Sequence, residues 1–342
     1  MKRAIVACFA LLTALAARAD EPKNLKVLTG LSGTQLQRTM NFIRGSLGVH
    51  CDYCHVVKDD KWDFASDEKK TKIEAREMIA MTIAINEKNF PNRPAAVTCN
   101  TCHRGATHPV AQPVMPQPQP PFPTPISERP ARPELKAIID KYAAAIGDAS
   151  KLASRRSKGE RIGADGKTTL PIEIAERGHD RIHVKAGEAE QGINPEGGWA
   201  RTPNGIITMN PDQLLNFRQL AEGFALVAPS EIPAEGRVGN RENVNDRPAW
   251  IVTASLREGV REKLWFDAEN GLLVRRQILT KSPVGEIPLQ TDYSDYRDAG
   301  GVKVPFTVRV SSIDPWIGST RKLAEVKAGV AIEDGEFAKP KE

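Results

Sequence analysis

The chain has 342 residues, 40% of them hydrophobic and 6% aromatic, and a formal net charge of +5. That length suits two domains. Setting aside Lys2, Arg3 and Arg18 of an N-terminal leader leaves a charge of about +2, which excludes the basic footprint of a nucleic-acid-binding protein.

Residues Met1 to Ala19 have a short basic start, an apolar run from Ala4 to Ala17, and the small-x-small pattern Ala17-Arg18-Ala19 before Asp20-Glu21-Pro22. This is the pattern of a secretory signal peptide, too short and wrongly flanked for a spanning helix, and it predicts a periplasmic mature chain. No later stretch approaches ~18 consecutive apolar residues, so the mature chain is expected to be soluble. Ile5-Val6-Ala7-Cys8 resembles a lipoprotein processing site. Most of the apolar run follows Cys8, however, so Cys8 reads as a small apolar residue lost with the leader.

A helix is predicted from Ser32 to Leu47, because Leu36, Met40, Ile43 and Leu47 recur at helical spacing. Ser32 or Thr34 can cap its start, and Gly45 and Gly48 loosen its end. Cys51-Asp52-Tyr53-Cys54-His55 follows. A longer helix is predicted from Ser66 to Phe90, opened by Ser66, Asp67 and Glu68. Its apolar stripe runs through Ala75, Met78, Met81 and Ile85, widened by Ile79 and Ile83. Cys99-Asn100-Thr101-Cys102-His103 follows it. The order helix with methionine, loop, C-x-x-C-H thus occurs twice.

C-x-x-C-H is the attachment sequence of c-type haem. Two thiols at this spacing can each bond one vinyl group of the same porphyrin, and the adjacent histidine is then pinned beneath the iron. Two C-x-x-C pairs could instead share one zinc ion, or each could be a disulfide or redox pair. Neither alternative needs a histidine at the next position. With histidine at 6 of 342 residues, coincidence at both positions is roughly one in three thousand. Cys51, Cys54, Cys99 and Cys102 are therefore assigned to haem attachment, with His55 and His103 as proximal iron ligands.

Methionines on an apolar stripe are ordinarily core. Here each helix must bury its stripe against something, and the nearest large apolar object would be a haem face. A thioether reaching the iron opposite the histidine gives His/Met ligation, which raises the reduction potential. His50 and His108 are other distal candidates, but His50 abuts Cys51 and His108 stands just before proline.

The segment from Met40 to His103 resembles the photosynthetic reaction-centre cytochrome c subunit family. The resemblance is carried by Met40-Asn41-Phe42, Ser46-Leu47-Gly48-Val49, Met78-x-x-Met81 with Asn86, and Thr101-Cys102-His103-Arg104-Gly105. It implies a methionine-bearing helix before each C-x-x-C-H loop and haems arranged in pairs. The family has two such pairs; this chain has one and resembles half of that subunit. The resemblance assigns Met40 as distal ligand of the first haem and Met81 of the second, with Met78, one turn earlier, as the alternative.

From Pro109 to Pro133, ten of the 25 residues are proline, which predicts an extended polyproline II spacer. Fully extended, it would span on the order of 75 Å. From Glu134 onwards there is no cysteine. An amphipathic helix from Glu134 to Ile146 stops at Gly147. Alternating strands then include Thr168 to Ala175, Ala249 to Leu256, Val260 to Asp267, Leu272 to Thr280 and Val302 to Ser311. Turns fall at Asp165-Gly166, Asn204-Gly205, Glu258-Gly259, Asn270-Gly271 and Gly300-Gly301. One helix, from Asn210 to Leu226, has Asn210 as cap and Pro211 in its first turn.

This pattern predicts an antiparallel, strongly curved sheet or half-barrel around a helix. The stretches 264–275, 292–297 and 301–306 resemble the outer-membrane lipoprotein carrier and sorting-protein fold. That resemblance implies a concave apolar face for a lipid or other hydrophobic ligand, or for a partner.

The predicted organisation is a leader (1–19), a small α-helical dihaem cytochrome c domain (20–108), a proline-rich linker (109–133) and an antiparallel β-rich α+β domain (134–342). No catalytic set is expected; His179 and His183 read as ordinary surface residues. The expected function is periplasmic electron transfer between redox partner proteins through two covalently bound haem c groups. A peroxidase-like dihaem enzyme and a lipid-binding envelope protein with haems as redox reporters are the alternatives.

Overall fold

The computed structural model describes residues 22–93, 96–113, 115–117, 130–257 and 260–341. The expected leader with Cys8, and residues 118–129 of the proline-rich stretch, lie outside the described residues.

The first helix, α1 (Gly33–Leu47), starts where the sequence offers a cap. Ser32 Oγ accepts from Gln35 N at 3.4 Å, and Gln35 Oε1 accepts from Ser32 N at 3.0 Å, a reciprocal capping box. It ends at Gly48 in the left-handed region, φ +67°. After it comes a short hairpin, β1 (Val56–Lys58) with β2 (Lys61–Asp63), which carries little alternation and was not expected.

The second helix, α2 (Lys70–Asn89), begins four residues later than the predicted Ser66. The reason is local competition for hydrogen bonds. Asp63 Oδ1 accepts from Ala65 N at 3.0 Å and Ser66 N at 2.9 Å, while Ser66 Oγ accepts from Glu68 N at 3.2 Å. Asp67 is taken by Lys26, Lys72 and Arg76. The loop is thereby stabilised as a loop. A third, five-residue helix, α3 (Cys99–His103), is the second cysteine motif itself.

Helix α4 (Leu135–Ile146) leads into one antiparallel sheet of thirteen strands. Its first limb is β3 (Ser154–Gly163), β4 (Thr169–Arg177), β5 (Arg181–Ala186), β6 (Ala189–Asn194), β7 (Gly197–Thr202) and β8 (Gly205–Thr208). Helix α5 (Pro211–Phe224) then interrupts it, with Asn210 Oδ1 accepting from Gln213 N at 2.9 Å as its cap. The second limb is β9 (Arg237–Val244), β10 (Arg247–Arg257), β11 (Val260–Asp267), β12 (Leu273–Ser282), β13 (Gly285–Asp298), β14 (Lys303–Ser312) and β15 (Gly318–Ala328). Spatially the limbs join where β3 pairs with β15, so the sheet is two meanders fused at the first and last strands.

Register shifts within β10, β11 and β15 curve the sheet. At one of them Gly159 is obligatory, since a Cβ there would stand 2.1 Å from the Lys322 carbonyl oxygen. The five predicted strands are all present within two residues of their expected ends. The fold class read from the sequence, helical then curved antiparallel β, is the one observed.

Helices α4 and α5 cover the concave face. Tyr142 of α4 is fully buried among Val252, Leu264, Phe266 and Leu273 and donates to the Val227 carbonyl at 2.7 Å. The C-terminal end of α5 is tied down by the sheet: Arg276 donates to Glu222 O at 2.8 Å, and Tyr293 to Ala225 O at 2.6 Å. Arg276 is itself paired with the fully buried Glu262 at 2.6 and 3.1 Å. Between α5 and the sheet a cavity of about 30 Å³ remains, lined by Arg155, Ile174, Phe224, Leu226, Arg321 and Leu323 among others. That is room for one or two water molecules.

Two histidine expectations part company. His179 is exposed and bonded to Glu231. His183 is not a surface residue: its ring lies 5.5 Å from that of Trp199, and its two nitrogens meet Glu190 and Glu336. The neighbouring strands of its own meander and the C-terminal turn, distant in sequence, cover it.

The helical part sits directly on the sheet. Leu28, Phe42 and Ile79 share a buried cluster with Val284, flanked by Ile287 and Ile313. Each such side chain contributes about 1.5–3 kcal/mol when fully buried. Thr34 and Arg38 of α1 bond to Asp212 and Asn216 of α5 at 3.2 and 2.9 Å.

Candidate haem-attachment site

The two C-x-x-C-H motifs are positioned by different helices. The first, a single 3-10 turn from Cys51 to Tyr53, is stitched to the start of α2. Thr71 Oγ1 donates to the Tyr53 carbonyl at 2.5 Å, Lys69 to that of Asp52, and Cys54 Sγ lies 3.9 Å from the Thr71 carbonyl. The second is stitched to the end of α1: Gly105 N donates to Ser46 O at 2.8 Å. Gly48 lies so close to Gly105 that a Cβ on it would stand 2.2 Å from the Gly105 carbonyl oxygen. The helix preceding the first motif therefore buttresses the second.

Asn86 works as a clamp on the approach to Cys99. Its Oδ1 accepts from Val97 N at 3.0 Å, and its Nδ2 donates to Val97 O at 2.7 Å and to Thr82 O at 3.1 Å. A side-chain amide pairing both ways with one residue imitates a strand ladder and fixes the loop.

The four motif cysteines form no disulfide. Burial pushes the Cys99 thiol up to about 11, and burial also raises that of Cys54 against the opposing bond to Thr71. A redox-active C-x-x-C depends on a lowered thiol pKa, and one thiol of each pair, Cys54 and Cys99, moves the other way. Among the described residues no three His, Cys, Asp or Glu side chains converge as a metal cluster, so the two pairs do not combine into one zinc site.

His103 Nδ1 lies 3.0 Å from the Ala106 carbonyl. A carbonyl only accepts, so Nδ1 carries a proton, and the contact fixes the orientation of the ring. His55 packs edge-on to Phe64, ring centroids 5.0 Å apart, with Nδ1 buried and unpaired. Burial, and then the Lys72 ammonium, hold its pKa below the ordinary value, so the ring is neutral near pH 7. Lys72, which sequence reasoning passed over, donates to the carbonyls of Phe64, Ala65 and Ser66 at 2.9, 3.0 and 2.6 Å and so shapes the loop against His55.

The methionine stripe of α2 does not behave as core. The face that α2 buries runs through Lys72, Ile79 and Thr82, while Met78 and Met81 are 43% and 45% exposed. Met40 of α1 is half-buried beside the cluster around Phe42. Trp62 and Phe64, stacked at 5.4 Å and 4° between planes, are exposed as well, as are Tyr53, Val57 and Ile73. Large apolar side chains left uncovered on both flanks of a C-x-x-C-H loop fit a porphyrin.

His50 is turned to the sheet, its ring 5.2 Å from that of Trp316; His108 bonds to Thr107 at 3.1 Å. Among the described residues no helix is long and apolar enough to cross a membrane.

A family model described as photosynthetic reaction centre cytochrome C subunit matches residues 12–170. Cytochrome c-554 of Chloroflexus aurantiacus is 40% identical over 88 residues, 24% of this chain and 20% of that protein. The photosynthetic reaction center cytochrome c subunit of Rubrivivax gelatinosus is 36% identical over 86 residues, 24% of this chain and 22% of that protein. The chain therefore spans about a fifth of the length of these curated relatives. Among solved structures, a LolA superfamily protein from Nitrosomonas europaea overlays 60% of this chain and 98% of its own at a TM-score of 0.41 and 12% identity. Through residues 12–170 the chain resembles the photosynthetic reaction-centre cytochrome c subunit family, and its N-terminal part is similar to c-type cytochromes.

Proposed function

We propose that this protein is a periplasmic dihaem cytochrome that passes electrons between redox partner proteins. Its organisation is that of a haem domain (20–108), a proline-rich linker (109–133) and a β-rich domain (134–342). The observation that carries the reading is the pair of C-x-x-C-H loops, each set against a helix that bears methionine. When bound, haem supplies a one-electron couple at iron. Cys51 with Cys54, and Cys99 with Cys102, would hold one haem each through thioethers. His55 and His103 would bind the irons, and Met40 and Met81 (or Met78 in place of Met81) would supply the second protein ligand, exclude water and small ligands, and favour the reduced state.

The test is the reaction of the mature protein with carbon monoxide. With both distal positions closed, the reduced protein should be low-spin and bind carbon monoxide slowly or not at all. Met40→Ala and Met81→Ala should each open one haem and lower its potential. Transfer of this effect from Met81 to Met78 would change the ligand alone. Rapid binding by the unaltered protein would replace electron transfer with a peroxidase-like reading.

A further inference from the structure

Arg44, in the last turn of α1, faces two ways. Its Nε donates to Asp314 Oδ2 at 2.6 Å and Nη2 pairs with the same oxygen, while Nη1 stands 3.6 Å from Cys51 Sγ. Asp314 lies in the turn between β14 and β15 and is fully buried. Its Oδ1 accepts from Trp316 N at 3.0 Å, and its own N–H donates to Ser312 Oγ at 3.3 Å. Both carboxylate oxygens are therefore engaged and the group is fixed.

The same turn touches α1 and the first motif at two further points. A Cβ on Gly45 would stand 2.7 Å from Asp314 N, so α1 and the turn meet at backbone distance. Trp316 lies against His50, the residue before Cys51. One loop of the sheet thus embraces the junction that leads into the first cysteine motif.

We propose that Asp314 is a positioning residue for the first haem: it holds Arg44 beside the Cys51 attachment edge and offsets its charge, so that the β sheet sets that haem's reduction potential. The proposal rests on Cys51 and Cys54 carrying haem. Oxidised haem bears one more positive charge than reduced haem. A nearby cation therefore raises the potential and a nearby anion lowers it. Within a pair at hydrogen-bond distance the two effects nearly cancel, and removing either partner uncovers the other in a site shielded from solvent. Asp314 is 270 residues from Arg44, so this control belongs to the second domain and not to the cytochrome segment.

The experiment is a spectroelectrochemical titration of the full-length holoprotein, after mass measurement has established its haem content. Asp314→Asn should raise the potential of one haem, Arg44→Gln should lower that of the same haem, and the double variant should return close to the unaltered value. Repeating the series with Cys99→Ala and Cys102→Ala present, where the first haem alone remains, should reproduce the shifts. Two downward shifts would mean that water has entered, and would overturn the proposal, as would no shift or a shift of the other haem. Should Asp314→Asn not mature, Arg44→Lys decides: the retained charge should give a clearly smaller shift than Arg44→Gln, and an equal shift overturns the proposal. A chain without covalent haem would instead defeat the dihaem reading itself.

Discussion

The helical part and the sheet solve the problem of a core in opposite ways. Among the described residues before the proline-rich stretch, the buried apolar side chains are Leu28, Phe42, Val56 and Ile79, while seven large ones from Tyr53 to Met81 are exposed. After it the balance reverses: every strand of the second limb contributes buried residues, and Leu215 and Trp316 are the large apolar side chains left exposed. The sheet also buries charge, with Glu262 and Arg276 neutralising each other beneath α5. A segment of this size rarely builds an adequate core from its own side chains. The lesson is that the helical part leaves most of its large apolar side chains uncovered and shares its buried cluster with Val284, whereas the sheet buries its own.

The harshest way to break that comparison is to make the full chain without haem attachment. Amide exchange should then be fast throughout α2 and α3, slower in α1 where it rests on α5 and the sheet, and slowest in β3 and β11–β14. Equal protection of α2 and the sheet would show that the helical part has a sufficient core after all.

A milder variant sharpens the other side. Glu262→Ala leaves the Arg276 guanidinium buried without its carboxylate and should cost about 3–5 kcal/mol. Denaturant unfolding followed by tryptophan fluorescence measures this, and the haem spectrum below the transition should not change. A cost below about 1 kcal/mol would mean that the sheet tolerates an unpaired buried charge through relaxation.

The smallest effect concerns the loop before α2. Arg76, then Asn24, Lys26 and Lys72, hold the Asp67 carboxyl well below the ordinary carboxylate range. A carboxylate depressed on folding stabilises the native state above its unfolded value, near 3.9, and that contribution fades as pH falls towards the depressed native value. Asp67→Asn should therefore lower stability at neutral pH and cease to matter in strong acid. A difference that persists at low pH would assign the effect to shape and not to charge.

Much of this was legible because the signals were local. Attachment cysteines, Ser32 and Asn210 caps, and the alternation of β10–β12 and β14 each lie within a few residues of what they determine. Strands β6 and β7, with sequences AEQGIN and GGWART, carry little alternation and become strands through pairing with neighbours. The stripe read through Ala75, Met78, Met81 and Ile85 is not the face that α2 buries against the polypeptide, since Ile79 packs with Phe42 and Val284 instead. Contacts such as Arg44 with Asp314 had no sequence signal at all, because neither residue's local pattern points to the other.

The pairing of β3 with β15 has a kinetic meaning. Gly163 lies opposite Ser319, so the sheet cannot join its limbs until nearly all of it is available. The turn that carries Asp314 leads into β15, so the strand that joins the two limbs is also the one whose turn rests on the Cys51 loop.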